Sequence, residues 1–181
     1  MSPAPTTANL SCCCALLRRS LLFRRPEDLS FKAWGVFNGD IWPCAGTYGS
    51  HGINSWAQNP TSEVEYSDQQ GLDHYYWRHP GVKGAGYAPL LLDANWIDGW
   101  PLHTDTPPPT RDTFPHDSAP NMWRFCIDRH VGKIKGVFAD GTKRKIGLKA
   151  LWLIRWYREW PAVDLETIEW PEWMENVGED F

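Results

Sequence analysis

Asp93, Asp98, His103 and Asp105 fall close together in the stretch LLLDANWIDGWPLHTD. Hard carboxylate oxygens on an irregular loop are the donors that Ca²⁺ takes, so Asp93, Asp98 and Asp105 are candidate calcium ligands. The stretch lacks the spacing and the closing Glu of an EF-hand. The same side chains serve equally well as turn caps that accept backbone N–H bonds. His130 and Asp140 bracket a strand-length segment, and Gly141 follows. As an acid–base pair they would need a nucleophile and a convergent pocket. No Gly-x-Ser-x-Gly elbow or His-Glu-x-x-His helix occurs, so no catalytic residue is assigned and no enzyme is expected. Read as structure, His130 ends a strand and Asp140-Gly141 makes a turn. Gly81, Gly84 and Gly86 lack the Lys-Ser/Thr that a phosphate loop requires. Cys12, Cys13 and Cys14 are too crowded for a metal site. Cys44 and Cys126 could form a disulfide in an oxidising compartment, or remain buried thiols.

The elements that must position these groups are short. FKAWGVFNGDIWP suggests a hairpin turning at Asn38-Gly39, and TYGSHGINSWAQNP an extended continuation. YAPLLLDANW reads as a strand covered on both faces, because Leu90, Leu91 and Leu92 run without interruption. The six prolines between residues 98 and 121 exclude regular structure over most of that loop. MWRFCIDRH is expected to be a strand, with KIKGVFADG returning antiparallel to it. Asp140-Gly141 then predicts a type I′ turn, with positive φ at both central positions, closing a hairpin onto TKRKIG. Leu148, Leu151, Trp152 and Arg155 are spaced as one helical face. That spacing predicts a short amphipathic helix from Leu148 to Trp160, with Lys149 and Arg158 in solvent and Pro161 as the stop.

Composition bounds the class. The chain has 181 residues, 42% of them hydrophobic and 22% charged, which suits one globular domain. Twelve Trp exceed ordinary usage and imply either an aromatic core or sugar-stacking platforms, with Trp96/Trp100 and Trp170/Trp173 as candidate pairs. The net charge of −4 is unevenly spread. Ten Lys/Arg lie between Arg124 and Arg158, whereas eight Asp/Glu and no Lys or Arg follow from Glu159 onward. A basic unit followed by an acidic tail invites pairing, within the chain or with a neighbouring copy. The sequence pI of about 5.8 and the lack of nucleic-acid-binding motifs argue against nucleic acid as a partner. No apolar run is long enough to span a membrane. CCCALLRRSLLFRR is interrupted by Arg18 and Arg19, so it lacks the continuous apolar core of a signal peptide.

His130, nine intervening residues and Asp140-Gly141, followed by GLKALWLIRWYREW, resemble the C-terminal signature and closing helix of planctomycete-type prepilin-like proteins. FKAWGVFNGDIWPCAGTYGSHGINSW, VKGAGYAPLLLDANWIDGWPLHTDTPPP and NMWRFCIDRHVGKIKGVFADG look like earlier blocks of the same family, so the resemblance covers about residues 31–160. It implies an α+β, pilin-like head similar to those of type II secretion pseudopilins and type IV pilins, with an antiparallel sheet, a short C-terminal amphipathic helix and long Pro-rich loops. The expected organisation is a poorly ordered segment at 1–30, the head at 31–160 and an acidic tail at 161–181. Some pseudopilins bind calcium late in the head, in line with Asp93, Asp98 and Asp105; otherwise no cofactor is expected. Family members begin with a cleaved, methylated apolar helix, which this chain does not match. The expectation is an N-terminally truncated subunit, from a start assigned too late or a fragmentary gene. Its role would be structural, in the cell envelope if a leader lies upstream, with like subunits or other pilin-like proteins as partners. The other reading is a soluble cell-surface carbohydrate-binding or adhesive module using exposed Trp.

Overall fold

The computed structural model describes residues 35–36, 48–60, 71–79, 81–113 and 118–180. Among these residues seven strands form in chain order: β1 (Gly35–Val36), β2 (Tyr48–Gly49), β3 (His51–Asn54), β4 (Pro89–Asp93), β5 (Asp98–Gly99), β6 (Lys133–Phe138) and β7 (Lys143–Gly147). β1 pairs antiparallel with β2 as a separate two-stranded ribbon. Gly35–Val36 thus pairs with Tyr48–Gly49, while Asn38-Gly39 lies outside the described residues. The remaining strands form one sheet in the order β5-β3-β4-β6-β7. Its pairings are antiparallel except β3 with β5, so the sheet is mixed.

β4 is central, as its leucine run suggests, but its leucines are not all covered. Leu92 is fully buried, whereas Leu90 and Leu91 are half-buried. The pairing of β4 with β6 shifts register between Pro89 and Leu91, where Pro has no N–H to give. β6 alternates as a strand should: Ile134, Gly136 and Phe138 are buried, and Lys133, Lys135 and Val137 face the other way. Gly136 and Gly52 are close-approach positions. A Cβ at Gly136 would press on Leu92 and Ile146, and one at Gly52 would lie 2.6 Å from the Trp96 carbonyl oxygen.

Three sequence expectations are corrected. MWRFCIDRH is not a strand: Asn121–Arg124 is a 3-10 turn, and β6 finds its antiparallel partners in β4 and β7. The β6–β7 hairpin forms, but its turn differs. Gly141 N–H donates to Phe138 O (2.9 Å) and Phe138 N–H to Thr142 O (3.0 Å), with positive φ at Gly141 (+80°) and not at Asp140. This is the longer hairpin loop in which one left-handed glycine absorbs the extra residue. Two successive left-handed residues occur instead at Val131 (φ 56°) and Gly132 (φ 73°), just before β6.

The third correction is the C-terminal helix. Only Lys149–Trp152 is helical, as a 3-10 turn, and no helix among the described residues exceeds four residues. Leu148, Ala150, Leu151, Trp152, Ile154, Trp156 and Tyr157 are all buried, so the segment is enclosed on several sides rather than along one stripe. Its carbonyls leave the helical ladder for indole donors: Trp156 Nε1 donates to Leu151 O (2.7 Å) and Trp160 Nε1 to Trp152 O (3.1 Å). Lys149, expected in solvent, is buried. The α+β assignment with a closing helix therefore reduces to a mixed five-stranded sheet with short 3-10 turns.

The core beneath the sheet is aromatic. Trp56, Trp152, Trp156, Tyr157, Phe125 and Phe138 are fully buried. Trp56 meets Tyr76 and Tyr157 edge-on at centroid distances of 5.2 and 5.7 Å, and Tyr75 stacks on Tyr157 at 4.0 Å. Asn54, at the end of β3, ties this core to the sheet. Its Nδ2 donates to Pro89 O (2.9 Å) and Trp156 O (2.8 Å), and its Oδ1 accepts from Trp56 N (3.1 Å). The acidic tail packs on the same body. Met174 is fully buried, Asp180 pairs with Lys133, and Gly147 N–H donates to Asp180 O (2.9 Å).

Candidate functional site

A dense polar cluster centres on Asp93, the last residue of β4. The strand register sets His51 of β3 directly opposite it. The chain before β6 brings Arg129 and His130 onto the same carboxylate. His51 Nε2 lies 3.4 Å from Asp93 Oδ1 and His130 Nε2 lies 3.1 Å from Oδ2. Arg129 Nη1 is 3.4 Å from Oδ1, and the Lys135 backbone N–H donates to Oδ2 at 2.8 Å. Arg129 also donates to Ser50 O and to Ala94 O (3.1 Å). The side chains of Asp93 and Arg129 are only 5% and 9% exposed, so their charges face each other out of water.

The left-handed pair Val131-Gly132 aims His130. Asp128 Oδ1 accepts the Gly132 N–H at 2.5 Å, and His130 N–H donates to Lys133 O at 3.0 Å. A β-branched residue at positive φ is costly, and these two bonds hold it there. Ser50 Oγ sits 3.1 Å from His51 Nδ1, so a hydroxyl–imidazole–carboxylate chain runs from Ser50 to Asp93. Its carboxylate end is shared with Arg129, His130 and the Lys135 amide, an arrangement that joins three segments of chain. His51 is pushed below the usual imidazole pKa by burial, against the raising effect of Asp93, with the Arg129 and His130 charges adding to the lowering.

The three aspartates considered for calcium are not brought to one point. Asp93 belongs to the cluster above. Asp98 pairs with Arg124 (3.4 Å) and accepts from Ser55 Oγ (3.4 Å). Asp105 Oδ2 accepts from the backbone N–H of Leu102 (3.0 Å) and Met122 (2.9 Å), thereby organising the Pro-rich loop. Burial raises the pKa of both Asp98 and Asp105, and their partners oppose the rise. Among the described residues no group of three His, Cys, Asp or Glu could hold a metal ion. His103 bonds Tyr157 Oη through Nδ1 at 2.5 Å.

His130 and Asp140 do not converge. Asp140 lies in the hairpin turn, where Oδ1 accepts from Thr142 N (2.9 Å) and Oδ2 from Arg144 (2.8 Å). The Thr142 bonds, with help from Arg144, lower its pKa. Cys126 is a free buried thiol, its Sγ 4.0 Å from Met174 Sδ, and burial raises its pKa. Cys44, its expected partner, lies outside the described residues.

No described Trp is exposed. Trp100 Nε1 donates to Tyr76 Oη (3.2 Å), Trp170 Nε1 to Leu165 O (3.0 Å) and Trp173 Nε1 to Pro108 O (2.9 Å). Trp170 also stands edge-on to Trp152 at 5.3 Å. Sequence reasoning missed Ser50, His51 and Arg129, whose only signal was their extended or loop setting. No helix among the described residues is long and apolar enough to cross a membrane. No family model matches the chain, and neither a curated protein nor a solved structure matches it.

Proposed function

We propose that this chain is a structural, non-enzymatic, pseudopilin-like component of a type II secretion or type IV pilus-like envelope assembly. The observation that supports this reading is how the His130-to-Gly141 signature is used. His130 Nε2 is bound to the buried Asp93 (3.1 Å), and Asp140 is bound to Thr142 and Arg144 at the other end of β6. The polar groups of the stretch are thereby spent on holding the β6–β7 hairpin in the sheet, which suits a building block. The aromatic core and docked tail supply a stable body for contacts with like subunits or other pilin-like proteins.

Cell fractionation with cross-linking, combined with terminal peptide mapping of the native product, tests the reading. The expected product is a subunit in the envelope fraction, cross-linked to itself or to pilin-like proteins. A product confined to the cytosol and without cross-links overturns it.

A further inference from the structure

The β6–β7 hairpin carries a row of lysines on one face. Strand register places Lys135 directly opposite Lys145, and Lys143 opposite Val137, with Lys133 one step along β6. Lys135, Lys143 and Lys145 are exposed, and β7 is the terminal strand of the sheet. Like charges directly opposite one another across a strand pair are unfavourable, so this face is improved by any anion that settles on it. The chain supplies such an anion at one end of the row. Asp180 pairs with Lys133, and its pKa is lowered chiefly by that bond, with Lys145 contributing.

The acidic tail presents the complementary surface. Its Trp170, Trp173 and Met174 face the body, while Glu166, Glu169, Glu172 and Glu175 are exposed. No Lys or Arg interrupts this run. A basic patch and an acidic patch on separate segments of one chain are complementary between copies. Placed head-to-tail, such a contact repeats. We propose that the Lys135/Lys143/Lys145 face of one copy takes the Glu166–Glu175 flank of a second copy, making a heterologous, salt-sensitive contact. This deepens the assembly reading by naming its partner and surface. The plainest alternative is that the lysines only guard an open sheet edge against pairing.

Sedimentation velocity of the purified full chain tests it at low and high ionic strength. At about 0.01 M salt, where the screening length is about 30 Å, concentration-dependent oligomers are expected, and they should dissociate near 1 M. Lys135→Glu/Lys145→Glu and Glu166→Lys/Glu169→Lys/Glu172→Lys should each weaken self-association at least about tenfold, and an equimolar mixture of the two variants should recover it. All five positions are exposed, and circular dichroism with Trp fluorescence confirms the fold of each variant. A single monomeric species at low salt overturns the proposal, as does association that neither reversal alters or a mixture that fails to recover. Those results leave the envelope assembly standing if native cross-links to other proteins are found, so the two ideas fail separately.

Discussion

Removing the Asp93 carboxylate should be the most damaging single polar change in this protein. Asp93→Ala takes from Arg129, only 9% exposed, the carboxylate it faces. It also strips the acceptor from the Lys135 N–H and from two imidazoles. Breaking a buried ion pair by deleting one partner costs about 3–5 kcal/mol. The orphaned amide carries its own penalty of about 1–3 kcal/mol, which overlaps the first because the groups share one site. A net loss of about 4 kcal/mol would consume much of the roughly 5–15 kcal/mol that a domain holds. With a urea m-value of about 2 kcal/mol per molar, the midpoint should fall by about 2 M. Urea titration read by Trp fluorescence suits a core containing Trp56, Trp152 and Trp156. Adding Arg129→Met to Asp93→Ala should recover part of the loss, because the buried charge that faced the deleted carboxylate is then gone. A loss below about 1 kcal/mol, or a double variant no better than the single, would refute the reasoning and place the cluster with ordinary surface ion pairs.

The tail contact, the hairpin turn and the imidazole each give a further test. His51 is held below its unfolded pKa of 6.5, so the unfolded chain binds the extra proton. Stability should therefore be full above that value and fall as pH drops through and below it, and His51→Gln should flatten the slope between about pH 7 and 5 in urea titrations. Asp98 and Asp105, whose pKa values are raised, oppose this trend only in the carboxylate range above 3.8. Gly147→Ala places a Cβ 2.4 Å from Gly178 O and 3.1 Å from Asp180 O, both backbone atoms. The end of the tail should lift from β7, visible as faster hydrogen exchange of the residue 147 amide; unchanged exchange would contradict the docking. Gly141→Ala meets nothing within 4 Å yet requires φ near +80°. It should cost about 1–2 kcal/mol, and Gly141→Asn less, in the same unfolding assay.

The β6–β7 hairpin was legible because two local rules agree there: apolar alternation with period two and an Asp-Gly turn. Its turn type was not, because the number of residues the loop must absorb depends on the pairing register, which the dipeptide does not encode. The Asp93 cluster was hidden for a different reason. His51, Asp93 and His130 are distant along the chain, and only the β3–β4 register and the Val131-Gly132 turn bring them together. Asp93 was singled out for its oxygens, which are indeed fully used, but by imidazoles, a guanidinium and an amide.

The misread helix shows what the tryptophans contribute beyond volume. Helical spacing at Leu148, Leu151, Trp152 and Arg155 is genuine, but a helix would direct the carbonyls of this segment to its own N–H groups. Instead Leu151 O and Trp152 O accept indole N–H groups from within the segment, and Trp156 O accepts from Trp77 Nε1 (3.0 Å) and Asn54. The same device recurs where Trp56 Nε1 caps Pro101 O (2.9 Å) and Trp152 Nε1 caps Asp105 O (2.8 Å) in the Pro-rich loop. Buried carbonyls must be paired, and a fold with few ladders needs donors from elsewhere. An indole provides a large apolar face and one N–H together, so the abundance of Trp and the scarcity of regular structure have one physical cause.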